Sequence, residues 1–101
     1  MNNTFNIEGY FNDNKNIDLK NVPLLINIPE WIEERNVYSI DTLEQIGILK
    51  PKKYGGLSYR IIDFKYDFFA CIKTSSFGYC YVRITEATKI TNYPIYERGE
   101  Y

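Results

Sequence analysis

Apolar and polar positions alternate most regularly in the second half of the chain, on either side of a short Ser/Gly loop at residues 74–78. Residues 68–73 and 79–84 both alternate with a period of two and are rich in β-branched and aromatic side chains. This period predicts β-strands, and a short loop between two such runs is typical of a β-hairpin. The predicted hairpin is the element around which the rest of the fold is arranged.

The loop sequence favours one register of this hairpin. A two-residue turn at Ser75 and Ser76 would place Cys71 opposite Cys80 and would require positive φ at both serines. A type I turn followed by Gly78 in the left-handed conformation requires positive φ only at a glycine. In this bulged register the two cysteines point to opposite faces, so we predict that they form no disulfide.

The bulged register also separates the side chains by character, and a buried face strongly specifies register. One face is entirely apolar and is predicted to enter the core; it carries Phe68, Ala70, Ile72, Cys80, Val82 and Ile84. The other face is mixed and carries Phe69, Cys71, Lys73, Tyr79, Tyr81 and Arg83. The mixed face is therefore the first place to look for a binding site.

Weaker patterns predict the remaining elements. Further strands are expected at residues 4–11, 22–28, 57–64 and 85–91, and the tail at 95–101 is expected to be mobile unless it docks. A short helix is predicted at 29–35, beginning at Pro29 and anchored in the core by Trp31. A second is predicted at 42–49, where Asp41 and Glu44 form a capping-box-like signature and Pro51 ends the helix.

Together these elements indicate a single small α+β domain that spans residues 1–101. We predict a mainly antiparallel, curled β-sheet of about four to six strands, with a small SH3-like barrel as its most curled form. The two short helices are too short to be stable alone, so they are expected to pack on one face or end of the sheet.

Composition indicates the kind of partner, the compartment and the source organism to expect for this protein. The formal net charge of −1 and a pI of about 5.4 argue against a main role in holding duplex DNA. The N-terminal residues lack the basic and apolar regions of a signal peptide, and no apolar run is long enough to span a bilayer, which predicts a soluble cytoplasmic protein. Two cysteines without a disulfide framework fit a reducing compartment. The leaning toward Ile, Asn, Lys and Tyr is typical of an AT-rich genome, so we expect a low-GC bacterium, its phage or another mobile element.

The chain lacks the residues of common catalytic and metal sites. It has no histidine, which removes the commonest general base and the commonest zinc ligand together. Its two cysteines form no C-x-x-C pair, and the serines at 75 and 76 lie in a turn with no visible base. We therefore predict a protein that is not an enzyme and that holds no cofactor and no metal.

Two groups of side chains are candidates for binding. The first is the aromatic and basic set on the mixed face, together with an arginine from the neighbouring strand: Phe69, Lys73, Tyr79, Tyr81, Arg83 and Arg60. The second is a lysine-rich stretch before a glycine pair that is either an anion site or a solvated loop: Lys50, Lys52, Lys53 and Tyr54. It lacks the spacing of a phosphate-binding P-loop.

Tyrosine and arginine are enriched in protein interfaces, so the leading prediction is a small binding module. We expect it to be encoded by a phage or mobile element and to bind and occupy the surface of a host protein, as an inhibitor does. The alternative is binding of single-stranded nucleic acid or a nucleotide messenger by the same aromatic and basic face. Two further alternatives stay open, namely that the helices cover this face and that a free edge strand forms a homo-oligomer.

Overall fold

The computed structural model describes residues 24–66 and 68–101, and these residues form strands joined by short loops and one short helix. The strands are β1 (Leu25–Ile28), β2 (Arg35–Tyr38), β3 (Gln45–Leu49), β4 (Leu57–Arg60), β5 (Asp63–Lys65), β6 (Phe69–Thr74), β7 (Gly78–Arg83) and β8 (Lys89–Thr91). The helix is α1 (Pro51–Tyr54). The prediction of a strand at residues 4–11 lies outside the described residues.

Two antiparallel sheets contain all of these strands. The first has the order β4-β1-β8 and the second has the order β3-β2-β7-β6-β5. Their apolar faces share one core, to which Ile26 and Ile28 contribute from the first sheet and Val37, Ile72 and Val82 from the second. Each of these five side chains is fully buried and contributes about 1.5–3 kcal/mol by leaving water. The described residues are thus mostly antiparallel β-sheet with very little helix, and they adopt neither the expected α+β class with two helices nor an SH3-like barrel.

The β6–β7 hairpin adopts the predicted bulged register. Cys71 lies opposite Tyr81, Cys80 lies opposite Ile72, and Gly78 has a φ of 65°. The side chain of Thr74 supports this turn, because its Oγ1 accepts a hydrogen bond from the Phe77 amide at 2.9 Å and donates one to the Gly78 carbonyl at 3.2 Å. Both cysteines are free, as predicted.

The prediction of the core face is wrong for one of its residues, Phe68. Ala70, Ile72, Cys80, Val82 and Ile84 are all buried, but Phe68 is only partly buried and is not a member of the core. The chain turns before β6 begins, and Tyr66 has a φ of 55° in that turn. Phe68 therefore lies outside the strand, where alternation no longer determines which way a side chain points.

The predicted helix at 29–35 is wrong. A single turn closes where the Ile32 amide donates to the Pro29 carbonyl at 3.1 Å, and the chain then enters β2 at Arg35. Burial explains the outcome, since Arg35 and Val37 are buried and Asn36 between them is exposed, which is the period of a strand. Trp31 is not a core anchor, because 66% of its surface is exposed.

The predicted helix at 42–49 is also wrong, because this segment forms the turn after β2 and then β3. Ser39 organises the turn: its amide donates to the Glu44 carbonyl at 2.8 Å, and its Oγ accepts from the Asp41 amide at 3.1 Å. Gly47 lets the Phe77 ring lie directly on β3, since a Cβ at this position would be 2.2 Å from Phe77 Cε1. The capping signature therefore belongs to a hairpin turn.

The predicted strand at 57–64 is divided between the sheets. β4 pairs with β1 in the first sheet, whereas β5 pairs with β6 in the second, and the chain crosses between them at residues 61–62. β4 is thus not the first strand of a meander. The predicted strand at 22–28 is found as β1 within its described part, and the predicted strand at 85–91 is found in shortened form as β8. The tail is docked on β4, where the Ser58 amide donates to the Arg98 carbonyl at 2.7 Å.

Candidate interaction surface

The mixed face of the β6–β7 hairpin points away from the core. Its side chains stand in three directly opposed pairs, which are Phe69 with Arg83, Cys71 with Tyr81, and Lys73 with Tyr79. Lys73, Tyr79 and Arg83 are exposed, whereas the neighbouring side chains bury Cys71 and Tyr81. Five of the six predicted binding residues are therefore together on one surface, and their contact with solvent decreases toward its centre.

Neighbouring strands extend this surface on both sides. Tyr38 on β2 lies opposite Tyr81, and on β5 Lys65 lies opposite Phe69 and Asp63 lies opposite Cys71. We call the combined surface the outer face, and it consists of Tyr38, Asp63, Lys65, Phe69, Cys71, Lys73, Tyr79, Tyr81 and Arg83. Sequence reasoning missed Tyr38, Asp63 and Lys65. The alternation around buried Val37 indicates the direction of Tyr38, but the helices predicted at 29–35 and 42–49 left this segment as a connection between them.

Aromatic rings form a connected group on the outer face and at its border. The Phe69 ring lies 5.4 Å from that of Tyr38 in an edge-to-face arrangement, 4.9 Å from Phe68 and 6.1 Å from Tyr81, measured between ring centroids. Tyr66 extends the group, at 6.2 Å from Phe68. These separations are in the range in which aromatic pairs attract each other. The rings thus support one another through mutual contact.

Three cations lie over these rings and over Tyr79. The Nζ of Lys65 is 5.4 Å from the centroid of Tyr66 and 5.9 Å from that of Tyr81. Lys73 Nζ lies 5.8 Å from the Tyr79 centroid, and the Arg83 guanidinium carbon lies 5.6 Å from the Phe68 centroid. Cation–π attraction holds each charge near the surface. Asp63 is the one acidic side chain of the outer face as defined above, so this surface is net positive on an overall acidic protein.

Arg60, the sixth predicted residue, lies on β4 and not on the outer face. It reaches the border of that face through a cleft of about 530 Å³, which is lined by Arg60, Ile61, Ile62, Lys73, Tyr79, Glu100 and Tyr101. The structure therefore brings three of the predicted residues, Arg60, Lys73 and Tyr79, together in one concave place. The prediction that Arg60 comes from a strand next to the hairpin is wrong, because β4 belongs to the first sheet, and the two tail residues in the cleft were not foreseen.

The lysine-rich stretch forms α1 and leads into the glycine pair that follows it. Lys52 Nζ forms an ion pair with Glu33 at 3.2 Å, and Lys53 Nζ lies 5.5 Å from the centroid of its neighbour Tyr54. The glycine pair ends α1: Gly55 has a φ of 73°, and the Gly56 amide donates to the Pro51 carbonyl at 2.8 Å. These glycines act as a helix C-cap. An anion site at Lys50, Lys52, Lys53 and Tyr54 stays a prediction.

Burial makes the two thiols poor nucleophiles. It raises the pKa of Cys80 to about 11, and it also raises the pKa of Cys71, to which the nearby charge of Asp63 adds. Since the thiolate is the reactive form, both groups stay protonated near neutral pH. Among residues 24–66 and 68–101, no three His, Cys, Asp or Glu side chains are grouped so that they could hold a metal ion.

In the part of the chain that the structure describes, no helix has the length and apolar character needed to cross a membrane. Comparisons with protein-family models, with curated proteins and with solved structures give no match for this chain. Functional inference therefore depends on the geometry of the outer face and of the cleft beside it.

Proposed function

We propose that the protein is a small non-catalytic binding module that occupies an acidic surface of another protein through its outer face. The observation that carries this proposal is the set of cations held over aromatic rings, at 5.4–5.9 Å from the ring centroids. Aromatic rings and arginine are the groups that most often dominate binding energy in protein interfaces. Because the rings already support one another, little conformational entropy is lost when a partner binds.

Charge selects the kind of partner. Lys65, Lys73 and Arg83 face one carboxylate, Asp63, on a surface that is otherwise aromatic. A complementary partner therefore presents carboxylates around an apolar or aromatic centre, and the charge pairs speed the encounter and exclude basic surfaces. In keeping with the composition, we further propose that the module acts in the cytoplasm of a low-GC bacterium, where a phage or mobile element encodes it to inhibit a host protein.

Binding of single-stranded nucleic acid or a nucleotide messenger is the second candidate. It is favoured by Tyr79, which is 53% exposed and lies beside Lys73 and Arg60 in the cleft. Base stacking, however, requires open ring faces, and the cations of this protein lie over several of them. A protein partner satisfies the existing arrangement better, because carboxylates can approach the cations without displacing them from the rings.

Affinity capture from a lysate of the host bacterium tests the proposal. The immobilised protein is compared with the double variant Lys73→Glu and Arg83→Glu, and with the matched control Lys50→Glu and Lys89→Glu. All four side chains are exposed, so the folding stability of both variants is expected to change by less than about 0.5 kcal/mol per substitution. We expect the same acidic protein to be retained by the wild type and the control and to be lost from the outer-face variant.

Two results would contradict the proposal. One is retention of the same proteins by all three baits, and the other is retention of none by the wild type. A parallel titration with single-stranded oligonucleotides and cyclic nucleotides at physiological salt examines the second candidate. Binding that is lost in the Lys73→Glu and Arg83→Glu variant, together with failure to capture a protein, would favour nucleic acid over a protein partner.

A further inference from the structure

The last residues of the chain lie along the outer edge of β4, where a neighbouring strand would lie. The amides of Ser58 and Arg60 donate to the carbonyls of Arg98 and Glu100, at 2.7 Å and 2.9 Å. Bonds from alternate residues are the pattern of strand pairing. The pairing is incomplete, since no tail amide after Tyr96 donates back to β4 within the described residues. The edge of β4 is thus occupied, but only by half of a strand ladder.

The tail is firmly anchored at its start. The Ile95 amide donates to Asn27 Oδ1 and the Tyr96 amide donates to Ser58 Oγ, both at 2.9 Å, and Asn27 and Ser58 are buried. The Tyr96 ring lies on Gly56, where a Cβ would be 2.5 Å from the ring. Residues 98 and 99, in contrast, are exposed. We call residues 98–101 the distal tail, which lies beyond this anchor.

The distal tail also forms one wall of the cleft beside the outer face. Glu100 and Tyr101 line this cleft together with Arg60 and Lys73. Neither cation forms an ion pair with a carboxylate in the described part of the chain, where the ion pair is that of Lys52 with Glu33. Two cations that form no ion pair with another described residue therefore flank a strand edge that already accepts an extended chain.

We propose that the edge of β4 is the site where an extended acidic segment of the partner protein binds, pairing with β4 in place of the distal tail. This inference rests on the proposed function and names the part of the partner that the cleft receives. Backbone hydrogen bonds to Ser58 and Arg60 supply affinity, and Arg60 and Lys73 select glutamate or aspartate side chains. The distal tail competes with the partner and lowers its apparent affinity by the fraction of molecules that are closed.

A substitution at Gly99 opens the site without removing any residue. Gly99 has a φ of 124°, and a Cβ there would be 1.7 Å from the Ser58 carbonyl oxygen, so Gly99→Ala must push the distal tail away from β4. Gly78→Ala is the matched control, because Gly78 also has positive φ but has no atom within 4 Å of its added Cβ. The full-length chain is used throughout.

The probe is a fluorescent, acetylated and amidated heptapeptide in which glutamate alternates with valine, and a lysine–valine peptide is its control. We expect the acidic peptide to bind Gly99→Ala about tenfold more tightly than the wild type, because the tail no longer competes. Gly78→Ala should bind like the wild type, and the lysine peptide should bind none of the three. Hydrogen exchange should show the Ser58 and Arg60 amides deprotected in Gly99→Ala and protected again by the acidic peptide.

Equal affinity of the acidic peptide for Gly99→Ala and the wild type overturns the inference, as does binding that leaves the Ser58 and Arg60 amides unprotected. If Gly99→Ala also loses protection in β6 and β7, Glu100→Lys takes its place. Arg60 and Lys73 repel the new lysine, so the same direction of change is expected, and no change overturns the inference. If the protein captures a partner but does not bind the acidic peptide, this inference alone is refuted. If it binds the peptide but its capture of a partner is insensitive to Lys73→Glu and Arg83→Glu, the proposed function alone is refuted.

Discussion

The buried amide of Asn27 joins β1 to three other parts of the fold. Its Nδ2 donates to Thr91 Oγ1 at 2.8 Å and to the Lys89 carbonyl at 3.1 Å, both on β8. Its Oδ1 accepts from Ser58 Oγ on β4 at 2.6 Å and from the Ile95 amide of the tail at 2.9 Å. Removal of this one side chain therefore weakens the first sheet and the tail anchor together, which makes Asn27→Ala a sharp test of the structure.

The expected cost follows from the groups that lose a partner. Lys89 is exposed and Thr91 is partly exposed, so water can replace the amide there at little cost. The Ser58 hydroxyl and the Ile95 amide lose their acceptor in a buried or partly buried place, at about 1–3 kcal/mol each. We expect Asn27→Ala to lower the free energy of unfolding by about 2–6 kcal/mol, which is measurable against a typical domain stability of about 5–15 kcal/mol.

Urea denaturation followed by far-ultraviolet circular dichroism measures this cost, with Asn36→Ala as the control. Asn36 is an exposed strand asparagine whose Oδ1 accepts from Gln45 Nε2 at 3.1 Å, and its loss should cost less than about 0.5 kcal/mol. Hydrogen exchange should show the Ile95 and Tyr96 amides deprotected in Asn27→Ala only. Equal costs for the two variants, or unchanged exchange at Ile95, would refute the reasoning that one buried amide holds both the sheet and the tail.

Three further predictions concern single positions. Burial and the charge of Glu100 raise the pKa of Tyr59 to about 12 from its ordinary value of 10, so the stability that the neutral phenol contributes is complete below pH 10 and is lost as the pH rises to 12. The loss is about 1.4 kcal/mol per pH unit in this interval, and urea denaturation at several pH values should show a shallower dependence for Tyr59→Phe. Trp31→Ala should change the free energy of unfolding by less than about 0.5 kcal/mol, and acrylamide should quench Trp31 readily in the folded protein; a blue-shifted emission maximum argues against this exposure. Gly78→Ala should cost about 1–2 kcal/mol in the same urea assay, because its φ is 65°, and Gly78→Asn should cost less, so equal costs contradict the predicted strain.

The hairpin could be predicted from the sequence because three local signals agree. Gly78 permits the bulge, alternation assigns Ala70 and Val82 to the core, and the same alternation assigns Lys73 and Arg83 to solvent. Turn geometry and side-chain period act over a few residues, so both can be read without knowledge of the rest of the chain. This is why most of the candidate surface was foreseen.

The helices were mispredicted because local signals were outweighed by distant partners. Arg35 belongs to a strand because its Nη1 reaches the Arg83 carbonyl at 2.7 Å and Thr88 Oγ1 at 3.1 Å, and no pattern near residue 35 contains that information. Gly47 looked like a weakness in a helix, whereas it is the place where the Phe77 ring lies on β3. Contacts between residues far apart in sequence override helix propensity in both segments.

The contribution of the tail to the candidate site also depends on contacts between residues far apart in sequence. The sequence contains Ile95 and Glu100 among polar and turn-forming residues, which indicates an end that frays. Their ordered positions depend on acceptors and donors that only the folded sheet assembles, at Asn27, Ser58 and Arg60. The cleft that Glu100 and Arg60 line therefore could not be predicted from residue spacing in the sequence.

The register of one hairpin determines both the core and the outer face. A shift of one residue in β6 would carry Ile72 toward solvent and bury Lys73, and a shift in β7 would do the same to Val82 and Arg83, so either shift disrupts the core and the outer face together. Stability therefore selects the same register that the interaction surface needs, and the cost of exposing fully buried side chains protects the position of the cations. This coupling explains how a small β-sheet protein can present a rigid aromatic and basic surface without a disulfide to hold the two strands in place.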